Sequence, residues 1–173
     1  MPEVKPEMEP QDVADRAVEL GAAEARVISP QNVYTAEWVR LRCQYGCGGY
    51  GARLTCPPHA PEPSRTRKVL DAYRTAVLVH GDRKSSMREL IVEIERQAFL
   101  AGYYKAFGFA SGPCRLCEQC PTDSTCRHPR QARPAMEASG IDVFRTAREA
   151  GFHIRVVKDR SEKPDFYGLV LLE

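Results

Sequence analysis

The stretch that decides the fold runs from residue 75 to 110. It opens on Thr75-Ala76-Val77-Leu78-Val79-His80, passes through Ser86-Met87-Arg88-Glu89-Leu90-Ile91-Val92-Glu93-Ile94, and closes on Tyr103-Tyr104-Lys105-Ala106-Phe107-Gly108-Phe109-Ala110. The first block is a short, continuous apolar run, as expected of a buried strand over 75–80. In the second, Met87, Leu90, Ile91, Ile94 and Ala98 repeat at helical spacing. Ser86 and Glu89 have capping-box spacing, and Gly102 supplies a stop, so a helix over 86–101 is predicted. The third block alternates and reads as a strand over 103–110. Strand, helix and strand in that order form a βαβ unit. The fold class is therefore α/β or α+β, a small central mixed sheet flanked by helices.

Working outward, Val13, Ala17 and Leu20 followed by Gly21 predict a helix over 10–20, and Ala25–Ser29 a short strand. The alternation of Val39, Leu41 and Cys43 suggests an extended segment. Gly46–Pro63 is rich in Gly, Pro and Cys and reads as an irregular loop, after which Ser64 can cap a helix that buries Val69, Leu70 and Tyr73. Downstream, helices are expected over 130–139 and over 143–150, the latter with Asp142 and Gly151 as caps. Strands are expected over 152–158 and 167–172. Residues 1–9, with two prolines and little apolar content, read as a flexible terminus, and residues 10–173 as one domain.

With 173 residues and 43% apolar content, the chain can bury a core without disulfide staples. Its 25 basic and 23 acidic side chains nearly cancel, which gives no footprint for nucleic acid. No apolar run approaches the roughly 20 residues of a membrane span, and Met1-Pro2-Glu3-Val4-Lys5 does not begin a secretory signal. A soluble, cytoplasmic protein is expected, with no nucleic acid or membrane as partner.

Against that ordinary background stand seven cysteines in two groups: Cys43, Cys47 and Cys56, then Cys114, Cys117, Cys120 and Cys126. An odd number in a chain without an export signal argues against a disulfide framework and for metal or metal–sulfur ligation. In the second group, Cys-x2-Cys-x2-Cys lets three thiolates converge on three corners of a cuboidal cluster, and Cys126 can reach the fourth iron. The bacterial ferredoxin run ends Cys-x3-Cys-Pro, whereas here the last spacing is longer and Pro121 follows the third cysteine. A [4Fe–4S] cluster is favoured. Zinc is the rival, although three cysteines at this spacing crowd one tetrahedron.

The first group, Cys43-x3-Cys47-x8-Cys56-Pro57-Pro58-His59, offers three thiolates and an imidazole among Gly46, Gly48, Gly49 and Gly51. A second [4Fe–4S] cluster, structural zinc and redox thiols all fit this pattern. With a cluster, one iron is either left open or ligated by His59. The remaining candidates are secondary. Tyr103, Tyr104, Phe107 and Phe109 either shield a cluster or serve as ordinary sheet residues. Arg115, Arg127, Arg130 and Arg133 either offset cluster charge or form an exposed rim. His80 reads as a packed strand residue, His128 as a hydrogen-bond donor beside Cys126, and His153 as solvated.

Together these stretches resemble a known family, the DUF2284 group of predicted metal-binding proteins. The matching motifs are Cys43-x3-Cys47, Gly-Tyr-Gly (49–51), Thr-Cys-Pro-Pro-His (55–59), Tyr-Lys-Ala-Phe (104–107) and Gly-Pro-Cys-Arg-Leu-Cys-Glu-Gln-Cys (112–120). They continue with Ala-Arg-Pro-Ala-Met-Glu-Ala-Ser-Gly-Ile-Asp-Val-Phe (132–144) and the C-terminal strand. The resemblance spans about residues 25–173 and implies metal or iron–sulfur binding by both cysteine groups. It brings no reaction. Signatures of nucleotide-binding and hydrolytic enzymes are absent. The leading expectation is an electron carrier with one or two [4Fe–4S] clusters that serves a redox partner protein. The alternatives are a zinc-stabilised interaction module, and an enzyme with an open iron helped by His59 and Arg53.

Overall fold

The structure is a computed structural model that describes residues 5–82 and 86–173. Met1–Val4, part of the expected flexible terminus, lie outside the described residues. Five helices (α1 Pro10–Glu19, α2 Glu37–Gly46, α3 Pro63–Leu70, α4 Met87–Leu100, α5 Val143–Glu149) accompany four strands (β1 Glu24–Ile28, β2 Ala76–Gly81, β3 Phe107–Phe109, β4 Phe166–Leu171). This is the expected class of sheet and flanking helices. The strand order is β1-β2-β4-β3 and each pairing is antiparallel, so the sheet is not mixed as expected. Both β2 and β3 run antiparallel to β4, which makes them parallel to each other with β4 between them. The crossover through α4 thus exists, but it skips one place for the C-terminal strand.

Both faces of the sheet are covered, which is why β2 and β4 carry continuous apolar runs (76–79 and 168–171) instead of alternating. On one face Val77, Val79, Val170 and Leu172 pack against Val13 and Ala17 of α1 and Leu90, Ile91 and Ile94 of α4. On the other, Ala76, Leu78, Leu169 and Leu171 meet Leu70 of α3, Val143 and Ala147 of α5, and Met136 and Ile141. The helical spacing read from α4 is borne out residue for residue: Met87, Leu90, Ile91, Ile94 and Ala98 are its buried positions. The Ser86 side chain makes no capping hydrogen bond, so the expected capping box is not formed.

Several expected elements differ, each for a local reason. Residues 37–46 are helical, not extended. Val39, Cys43 and Cys47 are four apart, the spacing of one helix face, which outweighs the alternation at 39, 41 and 43. The α3 cap is Glu62 rather than Ser64, and Pro63 takes the first helical position. β3 begins at Phe107 rather than 103, because Gly102 (φ 110°) reverses the chain and Tyr103 N–H bonds back to the Ala98 carbonyl. The helix expected over 130–139 is only a 3-10 turn, Glu137–Ser139. Pro134 lacks an N–H, and its carbonyl accepts from Ala110 N–H while Met136 N–H donates to the Ala110 carbonyl. Residues 152–158 alternate in burial at Phe152 and Ile154 but have no neighbouring strand among the described residues, and no ladder is seen there.

α4 lies unusually close to the sheet because two strand positions facing it are glycine. A Cβ at Gly168 would lie 2.6 Å from the Ile91 side chain, and one at Gly108 would collide with Ile91 as well. Gly168→Ala is expected to cost about 1–3 kcal/mol by overpacking, seen as a fall of several degrees in Tm. Adding Ile91→Val should recover part of that loss.

Candidate metal centres

α2 presents the first group of thiols. Cys43 lies on its last turn and Cys47 directly follows its end, one turn on. The chain then winds through Gly48–Ala52, and Cys56 enters the interior, its N–H bonded to the Arg53 carbonyl at 3.0 Å. The glycine between them has a steric purpose: a Cβ at Gly49 would sit 3.5 Å from Cys47 Sγ and 3.9 Å from Cys56 Sγ. The bare backbone therefore comes into contact distance of both sulfurs, and Gly49 N–H donates to Cys47 Sγ at 3.4 Å. Arg40, also on α2, donates to the carbonyls of Ala138 (3.0 Å) and Ala60 (3.4 Å), which fixes the helix against the exit of the loop.

The second group closes on a small cavity lined by Cys114, Cys117, Cys120 and Cys126, so the structure brings these four sequence-predicted residues together. The same cavity is walled by Arg53, Leu54 and Thr55 from the first loop. Leu54 N–H donates to Cys120 Sγ at 3.4 Å, and the Arg53 guanidinium donates to the Cys117 carbonyl at 2.6 Å. His128 does donate beside Cys126, but through its backbone N–H, to Sγ at 3.4 Å. Several sulfurs with backbone N–H donors aimed at them are a donor set that fits a thiolate-ligated metal. Among the described residues, no three His, Cys, Asp or Glu side chains already close around a single point as ligands of one ion.

His59 stands apart from Cys43 and Cys47. It is exposed on a separate groove with Val69, Tyr73 and Phe107, and only its backbone N–H reaches back, to the Cys56 carbonyl. His80 is a packed strand residue as read, bonded to Asp165 at 2.9 Å and stacked on Tyr167. Tyr103 serves the α1 side of the core, donating to the Met8 carbonyl, and Tyr104 is exposed. Arg115, Arg127 and Arg130 are exposed, whereas Arg133 is not a rim residue. It makes a bidentate pair with Glu95 of α4 (2.6 and 2.5 Å), and Glu95 Oε2 also accepts from Gly108 N–H at 2.7 Å.

Two residues of this region went unread in the sequence. Glu95 looks like any polar position on an amphipathic helix. Glu137 could have been noticed as the one acid inside Pro-Ala-Met-Glu-Ala-Ser-Gly (134–140), flanked by small and apolar residues. Its Oε2 is withdrawn from solvent and has no hydrogen-bond partner among the described residues. Burial pushes the Glu137 carboxyl above the ordinary carboxylate range. Burial also pushes the Cys43 thiol up, with Cys47 and then Glu137 adding to it. It does the same to Cys56, to which Cys47 and Cys43 contribute.

The Glu95–Arg133 pair holds the exit of the second cysteine loop against α4 and is largely withdrawn from solvent, its side chains 14% and 12% exposed. Arg133→Ala is expected to cost about 3–5 kcal/mol in urea unfolding, since it strands a carboxylate. For Glu137 the folded chain keeps a proton that the unfolded chain releases in the ordinary carboxylate range. The stability it contributes is complete below that range and is lost as pH rises through the raised value. Glu137→Gln should therefore gain stability over the native chain at about pH 7 and show little difference at about pH 4.

The family model described as predicted metal-binding protein (DUF2284) matches residues 26–172. No curated protein and no solved structure matches. With the match covering nearly the whole chain and both cysteine groups inside it, the protein belongs to the DUF2284 family of predicted metal-binding proteins.

Proposed function

We propose that this protein is an electron-transfer iron–sulfur protein. In this reading Cys114, Cys117, Cys120 and Cys126 hold one [4Fe–4S] cluster, and Cys43, Cys47 and Cys56 hold a second. The observation that carries it is the shared wall: Arg53-Leu54-Thr55 leads into Cys56 and at the same time lines the four-cysteine cavity. Two centres joined through one tripeptide suit a relay better than two independent structural ions. A bound cluster supplies one-electron storage at a potential set by its surroundings.

The chain's own residues do the rest. The Leu54 N–H on Cys120, the His128 N–H on Cys126 and the Gly49 N–H on Cys47 spread thiolate charge and favour the reduced, more negative state. The Arg53 guanidinium braces the two loops. Leu116 and Leu54 keep water from the four-cysteine cavity. The exposed rim of Arg115, Arg127 and Arg130 offers a docking face for an acidic redox partner. No helix among the described residues is long and apolar enough to cross a membrane. We place the protein in the cytoplasm on the strength of its free thiols.

The test is anaerobic purification followed by iron, sulfide and zinc analysis. The expected result is a brown protein absorbing near about 400 nm with about eight iron and eight sulfide per chain. Cys117→Ala and Cys120→Ala should each lose about half of both, and His80→Gln should lose none. EPR of the reduced protein should show magnetic interaction between two centres. A colourless, zinc-replete protein overturns the reading.

A further inference from the structure

A groove of about 640 Å³ lies between α2, the start of α5 and the stretch 154–157. That volume is within the roughly 300–1,000 Å³ of small-molecule pockets. Cys43 and Cys47 contribute to its wall, so it adjoins the first cysteine group. Trp38 and Val156 are 49% and 64% exposed, and Phe144 and Val157 also reach solvent. Four large apolar side chains gathered in one concavity mark a binding surface, unlike singly scattered ones.

The charges of the groove are unevenly committed. Asp165 bonds His80 at 2.9 Å, and Asp142 Oδ1 accepts from Arg145 N–H at 3.0 Å as the cap of α5. The guanidinium groups of Arg42 and Arg155, also on the wall, have no ion pair or hydrogen bond among the described residues. On the same wall the buried Glu137 Oε2 lacks a partner among the described residues. Without a partner among the described residues are thus two cations and one recessed oxygen, set around an aromatic and aliphatic surface, while the Asp142 and Asp165 carboxylates are each engaged through Oδ1 alone.

We propose that this groove binds a small organic anion with an apolar body. The hydrocarbon part lies against Trp38 and Phe144, and the acid group meets Arg42 and Arg155. Guanidinium forks match carboxylate geometry and form charge-assisted hydrogen bonds, whereas an amine in the same place would face two like charges. The concavity and the recessed Glu137 oxygen suit a small ligand better than a flat protein surface. The proposal holds whichever metal the cysteines bind.

The test is isothermal calorimetry on the full-length, anaerobically purified protein with 3-phenylpropionate, 3-phenylpropanol and 3-phenylpropylamine. The acid should bind at one saturable site, the alcohol about tenfold more weakly or worse, and the amine not at all. Arg42→Gln combined with Arg155→Gln should weaken the acid about tenfold or more and leave the alcohol unchanged. Trp38→Ala should weaken both, and Arg65→Gln, on the separate His59 groove, neither. Circular dichroism and metal content establish that each variant is folded and loaded. Equal binding of acid and amine, no saturable binding of the acid, or an unaffected double variant would each overturn the proposal. So would a native dimer in sedimentation velocity that Trp38→Glu makes monomeric, with the acid silent, since a second copy then fills the groove. None of these failures touches the iron and sulfide analysis, which tests the metal reading separately.

Discussion

One buried carboxylate determines where the cysteine machinery sits. Glu95 projects from the third turn of α4 and accepts from Gly108 N–H of β3 and from two nitrogens of Arg133. Helix, strand and the end of the second cysteine loop thereby share one anchor. The loop leaves β3 at Ala110 and returns at Pro134–Met136, where backbone hydrogen bonds join its two ends. Its long irregular excursion is thus clamped at the neck, and a segment with no helix or strand of its own can hold four thiols around a cavity. The charge on Glu95 is tolerable there because its oxygens are multiply bonded, the condition under which buried ion pairs persist.

The proximity of the two cysteine groups gives the protein its distinctive character. They are separated by nearly sixty positions in sequence, since Cys56 and Cys114 bound the gap, yet the tripeptide before Cys56 forms the wall of the second cavity. The sheet makes this possible. α3 and α4 package the intervening residues around β2, and the chain returns along β3 to the place it left. The fold therefore acts as a spacer that brings two loops together and leaves α2 and α5 facing each other across a groove.

Much of this was legible in the sequence, for identifiable reasons. The α4 pattern and the apolar runs of β2 and β4 reflect burial on defined faces, which periodicity reports directly. The cysteine groups declare themselves because thiols clustered in a chain without disulfides have few other uses. Two of the differences share a cause, because a longer-range partner decides where local alternation alone does not. Residues 152–158 alternate without a strand beside them among the described residues. Residues 39–43 alternate as well, but cysteines four apart belong to a helix face. The order of the sheet, with β4 inserted between β2 and β3, depends on a strand more than fifty residues after β3. The Glu95–Arg133 bond joins residues 38 apart, and neither partner stands out in its own neighbourhood. Nor could Glu137 be recognised as buried before the turn around it was known.

The raised thiols of Cys43 and Cys56 bear on the protein's life before its metal arrives. A thiol held above its ordinary titration range is mostly protonated at neutral pH, and the protonated form is a poor nucleophile toward oxidants and disulfides. The newly folded chain therefore carries these two donors in a chemically quiet form. Under the proposed ligation a metal would displace these protons and leave the two sulfurs as thiolates. The burial that raises these two thiols would thus keep them less reactive before a metal binds, and assembly would release acid.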